Sequence, residues 1–318
     1  PGVAFVTRQD GFDCGIMITA SHNPYHDNGI KVLNSRGEKL DDKTTSLIEA
    51  YLDGDLDRLG VRGDDLPLAK RERIGRIVDH VAGRNRYVGY LISLASHSYR
   101  DMRIGLDCAN GASWMIAKSV FDALGAQTYV IGATPDGLNV NENCGSTHTE
   151  ALCRLVREEH LDVGFAFDGD ADRCLAVDGD GNIVDGDVLI AIAAMDMKKR
   201  GELKNNTAVV TVMTNMGFWK FAAGNGIEVK KTAVGDRYVL EEMLKNDYSI
   251  GGEQSGHIIF REFATTGDGE LTGVQILAAM KREGKTLRRL AEIMKIYPQT
   301  LKNVVVTPEG KAAYADDG

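Results

Sequence analysis

The sequence predicts an α/β protein made of similar α/β units in series, with parallel or mixed sheets. Three observations carry that reading. Short apolar runs alternate with amphipathic helical patterns from residue 103 to residue 294, the rhythm of right-handed βαβ crossovers. A length of 318 residues leaves room for about two domains, or more if a smaller unit repeats. A hydrophobic content of 43% beside 26% charged residues supplies a sizeable core.

In the first unit, Gly2-Val3-Ala4-Phe5-Val6 and Cys14-Gly15-Ile16-Met17-Ile18 are short apolar runs bounded by polar turns, as buried strands should be. The loop Thr19-Ala20-Ser21-His22-Asn23-Pro24 follows. A turn at Asp27-Asn28-Gly29 then leads into a strand through Ile30-Lys31-Val32-Leu33. A helix capped by Asp41 or Asp42 sets Leu47, Ile48, Tyr51 and Leu52 on one face, and the charged, aperiodic stretch 54–76 reads as a linker.

The second unit opens with a helix over 79–96. It continues as strand 103–108, helix 113–124, strand 128–131, helix 149–159 with Thr149 as cap, strand 162–167 and a hairpin over 175–184. The third runs helix 187–198, strand 208–212, helix 217–223, strand 227–229, helix 236–245, strand 248–250 and helices over 268–282 and 287–294. A strand at 301–306 opens something further. The predicted units are therefore 1–76, 77–184 and 185–297, with the start of a fourth at 298–318.

A net charge of −9 argues against a nucleic-acid partner held by bulk electrostatics and leaves a small anionic substrate open. The five cysteines form no CxxC pair, so they read as reduced thiols of a cytosolic protein. Cys14, Cys108 and Cys174 lie in apolar runs and are expected as small core residues. No stretch approaches the roughly 18 apolar residues of a membrane span, and no signal peptide opens the chain. The sequence starts at Pro1 without a Met and stops at Asp316-Asp317-Gly318, so both ends read as cut.

Chemistry concentrates in three loops. Ser21 offers a nucleophile or phosphate carrier, and His22 beside it could move a proton; the pair also fits an ordinary polar turn. Asp168-Gly169-Asp170-Ala171-Asp172-Arg173 follows the buried run Val163-Gly164-Phe165-Ala166-Phe167. Three carboxylates at alternate positions repel one another unless a cation or protons intervene, and hard oxygens at this spacing suit Mg²⁺. A calcium loop fails on register, since Arg173 stands where that loop needs Gly and Gly179 where it needs Glu. Asp178-Gly179-Asp180-Gly181-Asn182 lies in a hairpin, where turn chemistry explains it.

In Gly251-Gly252-Glu253-Gln254-Ser255-Gly256-His257, the residues Glu253, Ser255 and His257 alternate. In an extended loop they would point one way and suit sugar hydroxyls; a plain polar turn fits as well. Lys31 could reach a phosphate on Ser21 or be a surface lysine. Arg237, at a helix start in Gly235-Asp236-Arg237, is an anion site or part of an N-cap.

Together these loops resemble the α-D-phosphohexomutase superfamily, most closely its branch acting on glucosamine phosphates. The motifs are TASHNP, DGDADR and GEQSGH, in that order, supported by Asp107-Cys108-Ala109-Asn110-Gly111-Ala112, Cys144-Gly145-Ser146-Thr147-His148 and Val234-Gly235-Asp236-Arg237-Tyr238-Val239. Gln254, where relatives acting on mannose and glucose phosphates usually carry Met, points to that branch.

The resemblance implies four domains around a central cleft, of which the first is incomplete here and the fourth missing. It implies Ser21 as the phosphoserine, completing the shell of one Mg²⁺ held by Asp168, Asp170 and Asp172. Arg173 would hold phosphate charge, Glu253 and Ser255 sugar hydroxyls, and His257 would lie near the substrate. His22, Lys31 and His257 are candidates for proton transfer or charge stabilisation.

The implied reaction interconverts glucosamine 6-phosphate and glucosamine 1-phosphate through a sugar 1,6-bisphosphate, in a cytoplasmic monomer or homodimer with no nucleic-acid or membrane partner. A mannose or glucose phosphate mutase, or a non-catalytic sugar-phosphate sensor, are the alternatives. This stretch alone is expected to bind metal with little turnover, and its first sheet to expose a destabilising edge.

Overall fold

The computed structural model describes residues 1–60, 69–300, 302, 305 and 307. The first unit comprises α1 (Gly2–Gln9), β1 (Cys14–Thr19), β2 (Gly29–Asn34) and α2 (Asp42–Leu52), followed by the short α3 (Leu56–Leu59). The second comprises α4 (Val81–Ser93), β3 (Arg103–Asp107), α5 (Ala117–Ala123), β4 (Gln127–Ile131), α6 (Glu150–Glu158), β5 (Val163–Phe167), β6 (Cys174–Asp178) and β7 (Ile183–Val184). The third holds α7 (Gly186–Lys199), β8 (Thr207–Thr211), α8 (Met216–Gly224), β9 (Glu228–Thr232), α9 (Asp236–Asn246), β10 (Ile250–Gly252), β11 (Ile258–Phe260), α10 (Gly269–Glu283) and α11 (Leu287–Ala291).

Both larger sheets are mixed. The second unit has the order β4-β3-β5-β6-β7, parallel through β4, β3 and β5 and antiparallel from β6 onward. The third has β11-β10-β8-β9, with only β11 antiparallel to its neighbour. The chemistry-bearing loops leave the carboxyl ends of β1, β5 and β10, where α/β sheets place their ligand sites.

The first unit departs from expectation. Gly2-Val3-Ala4-Phe5-Val6 is the body of helix α1, because so short an apolar run fits either period and its packing partner decides. Phe5 stacks on Tyr90 of α4 with ring centroids 4.8 Å apart, while Ala4 and Thr7 bury one turn apart. Strands β1 and β2 then form an antiparallel pair with one face bare: Ile16 is 62% and Ile18 73% exposed, Ile18 opposite Ile30. Cys14 shares that face and is exposed, against the expectation of a core thiol; Cys108 and Cys174 are buried as expected.

Smaller differences concern boundaries. The expected helix over 113–124 is a 3-10 turn (Ala112–Met115) followed by α5. The expected linker contains α3, and its residues 61–68 lie outside the described ones, as does most of the strand expected at 301–306.

One core joins the second and third units. Helix α10 is buried on every side from Gly269 to Met280, with Glu270, Thr272 and Gln275 buried among its apolar residues. It packs on α7 and α4 and under β5 and β6, so Phe121, Phe165, Leu189, Phe218 and Ile276 belong to one apolar cluster. At the far end of α10, Arg282 donates two hydrogen bonds to Asp196 of α7, at 2.8 and 2.7 Å.

Candidate active site and metal centre

Strand β5 is buried along its length, and the loop over its carboxyl end carries Asp168, Asp170 and Asp172, only 0%, 2% and 8% exposed. One ligand oxygen from each lies within 4.8 Å of the others. Asp168 Oδ2, Asp170 Oδ1 and Asp172 Oδ1 are buried without a hydrogen-bond partner. Buried carboxylates so arranged are costly unless a cation shares them.

Burial, reinforced by Asp172 and Asp170, pushes the Asp168 carboxyl well above its usual range. Burial also works against the Asp172 carboxylate, but His257 and Lys31 outweigh it and hold that carboxyl well below. Three orphaned hard oxygens with a cationic rim fit a small divalent cation, Mg²⁺ above all.

The first unit brings Lys31 and Ser21 to this loop. Lys31 Nζ is bonded to Asp170 and lies 3.4 Å from Asp172 Oδ2. Burial would lower its ammonium pKa, but Asp172 and Asp170 raise it above the ordinary lysine value. Ser21 sits in the left-handed region at φ 53°, its N–H donating to Thr19 Oγ1 at 2.8 Å. Its carbonyl accepts from Asn141 Nδ2 at 2.9 Å. It also abuts Gly169, where any Cβ would collide with it, so glycine lets the two loops close. His22 is half-buried with Nδ1 unpartnered, and burial followed by the Arg173 charge lowers its pKa. The Arg173 backbone N–H donates to Asp168 Oδ1 at 3.2 Å.

The third unit contributes the turn between β10 and β11. It is a tight hairpin, with the Glu253 N–H donating to His257 O and the Gly256 N–H to Glu253 O, both at 3.0 Å. The expected extended alternation is therefore replaced by a turn, which gives the three side chains different settings. Glu253 Oε1 accepts from the Gly235 N–H at 3.0 Å, and Ser255 is exposed. His257 is 3% exposed and accepts the Gly267 N–H on Nε2 at 3.0 Å. That leaves the proton of a neutral ring on Nδ1, facing Asp172 Oδ1 at 3.4 Å.

Ser21, Lys31, Asp172, Arg173, Glu253, Ser255 and His257 line one cavity of about 440 Å³. Three loops from three units thus converge. His22 and Arg237 are not on its wall. Arg237 is paired with Asp42 and with Glu241 (2.7 Å) beside a neighbouring cavity, so carboxylates already occupy the guanidinium proposed as an anion site. Sequence reasoning missed Asn141, whose contacts span 120 residues, and the placing of Asp236 between Lys39 and His257. Neither has a local signal: both depend on how the units meet.

Comparison with known proteins identifies relatives of the chain. Residues 1–58, 85–181 and 185–297 match the family models described as phosphoglucomutase/phosphomannomutase, alpha/beta/alpha domains I, II and III. The chain is 55% identical over 312 residues to a phosphoglucosamine mutase of Lachnospira eligens, covering 98% of this chain and 68% of that one. It is 48% identical to that of Acetivibrio thermocellus, covering 100% and 69%.

Among solved structures, a phosphoglucomutase/phosphomannomutase family protein of Burkholderia thailandensis superposes with a TM-score of 0.72 at 22% identity, over 91% of this chain and 59% of that one. The Aspergillus fumigatus N-acetylphosphoglucosamine mutase, solved with GlcNAc-6P and magnesium, gives 0.69 at 16% identity over 93% and 76%.

Proposed function

This chain belongs to the phosphoglucosamine mutases of the α-D-phosphohexomutase superfamily, and we propose that it interconverts glucosamine 6-phosphate and glucosamine 1-phosphate with Ser21 as the phosphate carrier. The observation that carries the proposal is the meeting of the Ser21 loop, the aspartate loop and the Glu253 hairpin on one cavity.

The phosphoryl group leaves Ser21 Oγ as the P–O bond to serine breaks and a new one forms to the free sugar hydroxyl, whose proton passes to a base. The resulting bisphosphate turns in the cleft and returns its other phosphate to Ser21. Such transfers depend on positioning and charge stabilisation. Asp168, Asp170 and Asp172 would hold Mg²⁺, which when bound supplies positive charge for the phosphoryl oxygens.

Lys31 and Arg173 add fixed positive charge on the same wall. Glu253, locked by the Gly235 N–H, and the exposed Ser255 hydroxyl meet sugar hydroxyls. His257 orients Asp172 through Nδ1, and His22, next to Ser21 in the chain but off the cavity wall, supports the Ser21 loop. Four buried thiols outside any disulfide suit the reducing cytoplasm.

The test starts from chain phosphorylated on Ser21 and follows its dephosphorylation by glucosamine, glucose and mannose 6-phosphates side by side. Fastest transfer to the glucosamine ester is expected. Faster transfer to glucose or mannose 6-phosphate would reassign the sugar, and no transfer to any would leave a binding protein without chemistry.

A further inference from the structure

We propose that Asn141 is a positioning residue that fixes the Ser21 peptide over the aspartate loop. The inference rests on the reading of Ser21 as phosphate carrier. Asn141 belongs to the second unit, is 5% exposed, and takes a left-handed φ of 58°, a setting Asn tolerates better than most residues. Its own N–H donates to Ala109 O at 2.9 Å, in the loop at the carboxyl end of β3. From there Nδ2 donates both its hydrogens across the unit boundary, to Ser21 O at 2.9 Å and to Asn23 O at 2.8 Å. The amide has one sensible orientation, since a flipped Oδ1 would face two carbonyl oxygens.

Gly169 comes up against both the Ser21 carbonyl oxygen and Asn141 Nδ2, where any Cβ would collide with each, so the carbonyl, the amide and the aspartate loop meet at one point. The bonds within the Ser21 loop, Ser21 N–H to Thr19 Oγ1 at 2.8 Å and Asn23 N–H to Ala20 O at 2.9 Å, shape the turn without locating it. Lys31 also crosses the boundary, but its partners are the aspartates themselves. Among the described residues, the side-chain hydrogen bonds that tie residues 20–28 to the second unit are the two from Asn141. A reacting oxygen displaced by about 1 Å loses on the order of 100-fold in rate.

The test is single-turnover phosphorylation of the chain by glucose 1,6-bisphosphate with Mg²⁺, read by intact mass, with Mg²⁺ affinity measured by calorimetry. Asn141→Gly keeps the left-handed backbone and removes the amide; Asn141→Asp keeps the shape and sets a carboxylate against two carbonyls. Phosphorylation is expected to slow about 10- to 100-fold in Asn141→Gly and further in Asn141→Asp, with Mg²⁺ affinity within about twofold of wild type.

Wild-type speed in Asn141→Gly would overturn the inference while leaving the carrier reading intact. So would an equal loss of Mg²⁺ affinity, which would place the role in the triad. A wild type that takes no phosphate would overturn the carrier reading, and this inference with it. If Asn141→Gly does not fold, Asn141→Asp carries the same comparison.

Discussion

Asp170 is bonded to Lys31 through one oxygen and leaves the other buried and unpartnered beside Asp168 and Asp172. Replacing it with Asn removes one of the three negative charges and relieves repulsion within the triad. Asp170→Asn is expected to weaken Mg²⁺ binding at least about 10-fold by calorimetry, with a melting temperature equal to or above wild type; unchanged affinity would remove Asp170 from the site. Asp187 illustrates a different cost. It is fully buried at the start of α7, accepts the Asn215 N–H at 2.7 Å, and leaves its other oxygen without a partner. Burial, with Asp185 nearby, lifts its pKa from 3.8 to about 7. The folded state thus keeps a proton that the unfolded chain has lost, so this group's stabilisation is full below pH 3.8 and declines as pH rises to about 7. Asp187→Asn can still accept the Asn215 bond. It should be more stable than wild type at pH 8 by about 2–4 kcal/mol and nearly equal at pH 4, measured by urea midpoints. An equal difference at both pH values would deny the shift.

At the scale of elements, Asp185 links a helix to the hairpin that carries Glu253. It caps α7 by accepting the Val188 N–H at 3.1 Å and accepts Gln254 Nε2 at 3.2 Å on its other oxygen. Gly186 N–H adds a bond to Gln254 O at 3.0 Å, so the hairpin rests on the helix start. Asp185→Ala should cost about 1 kcal/mol of stability and also weaken sugar-phosphate binding, read by calorimetry with glucosamine 6-phosphate. Loss of stability alone would confine it to capping. Most such elements were legible from period and turn chemistry, because β3, β5 and β8 are continuous buried runs and α7 and α10 start at side-chain caps, although Thr149, expected to cap α6, makes no cap bond. Segment 2–6 was misread because five apolar residues hold no period; the stacking of Phe5 on Tyr90, about 85 positions on, makes it helical. The burial of β1 was overestimated for a related reason. Alternation shows two faces, but only the assembled fold shows that Cys14, Ile16 and Ile18 meet no cover here.

Across the whole molecule, α10 shares one apolar core between the second and third units, so the two are expected to unfold together. The two tryptophans report on them separately: Trp114 lies in the second unit and Trp219 in the third. Variants each keeping one tryptophan should give coincident urea transitions, and separated midpoints would contradict the shared core. The candidate site divides along the same lines of scale. The aspartate triad was legible because its carboxylates stand at alternate positions of one loop. The Ser21 and Glu253 loops were legible as chemistry but not as neighbours, and the Asn141 strut and the Gly169 approach exist only once the units close. The central claim is that Ser21 carries phosphate beside that triad. Its most direct test is intact-mass and peptide mapping after incubation with Mg²⁺ and a hexose 1,6-bisphosphate, for wild type and Ser21→Ala. One phosphate on Ser21, absent from the variant, is the predicted result; none on the wild type at saturating bisphosphate, or one mapped to another residue, would contradict it.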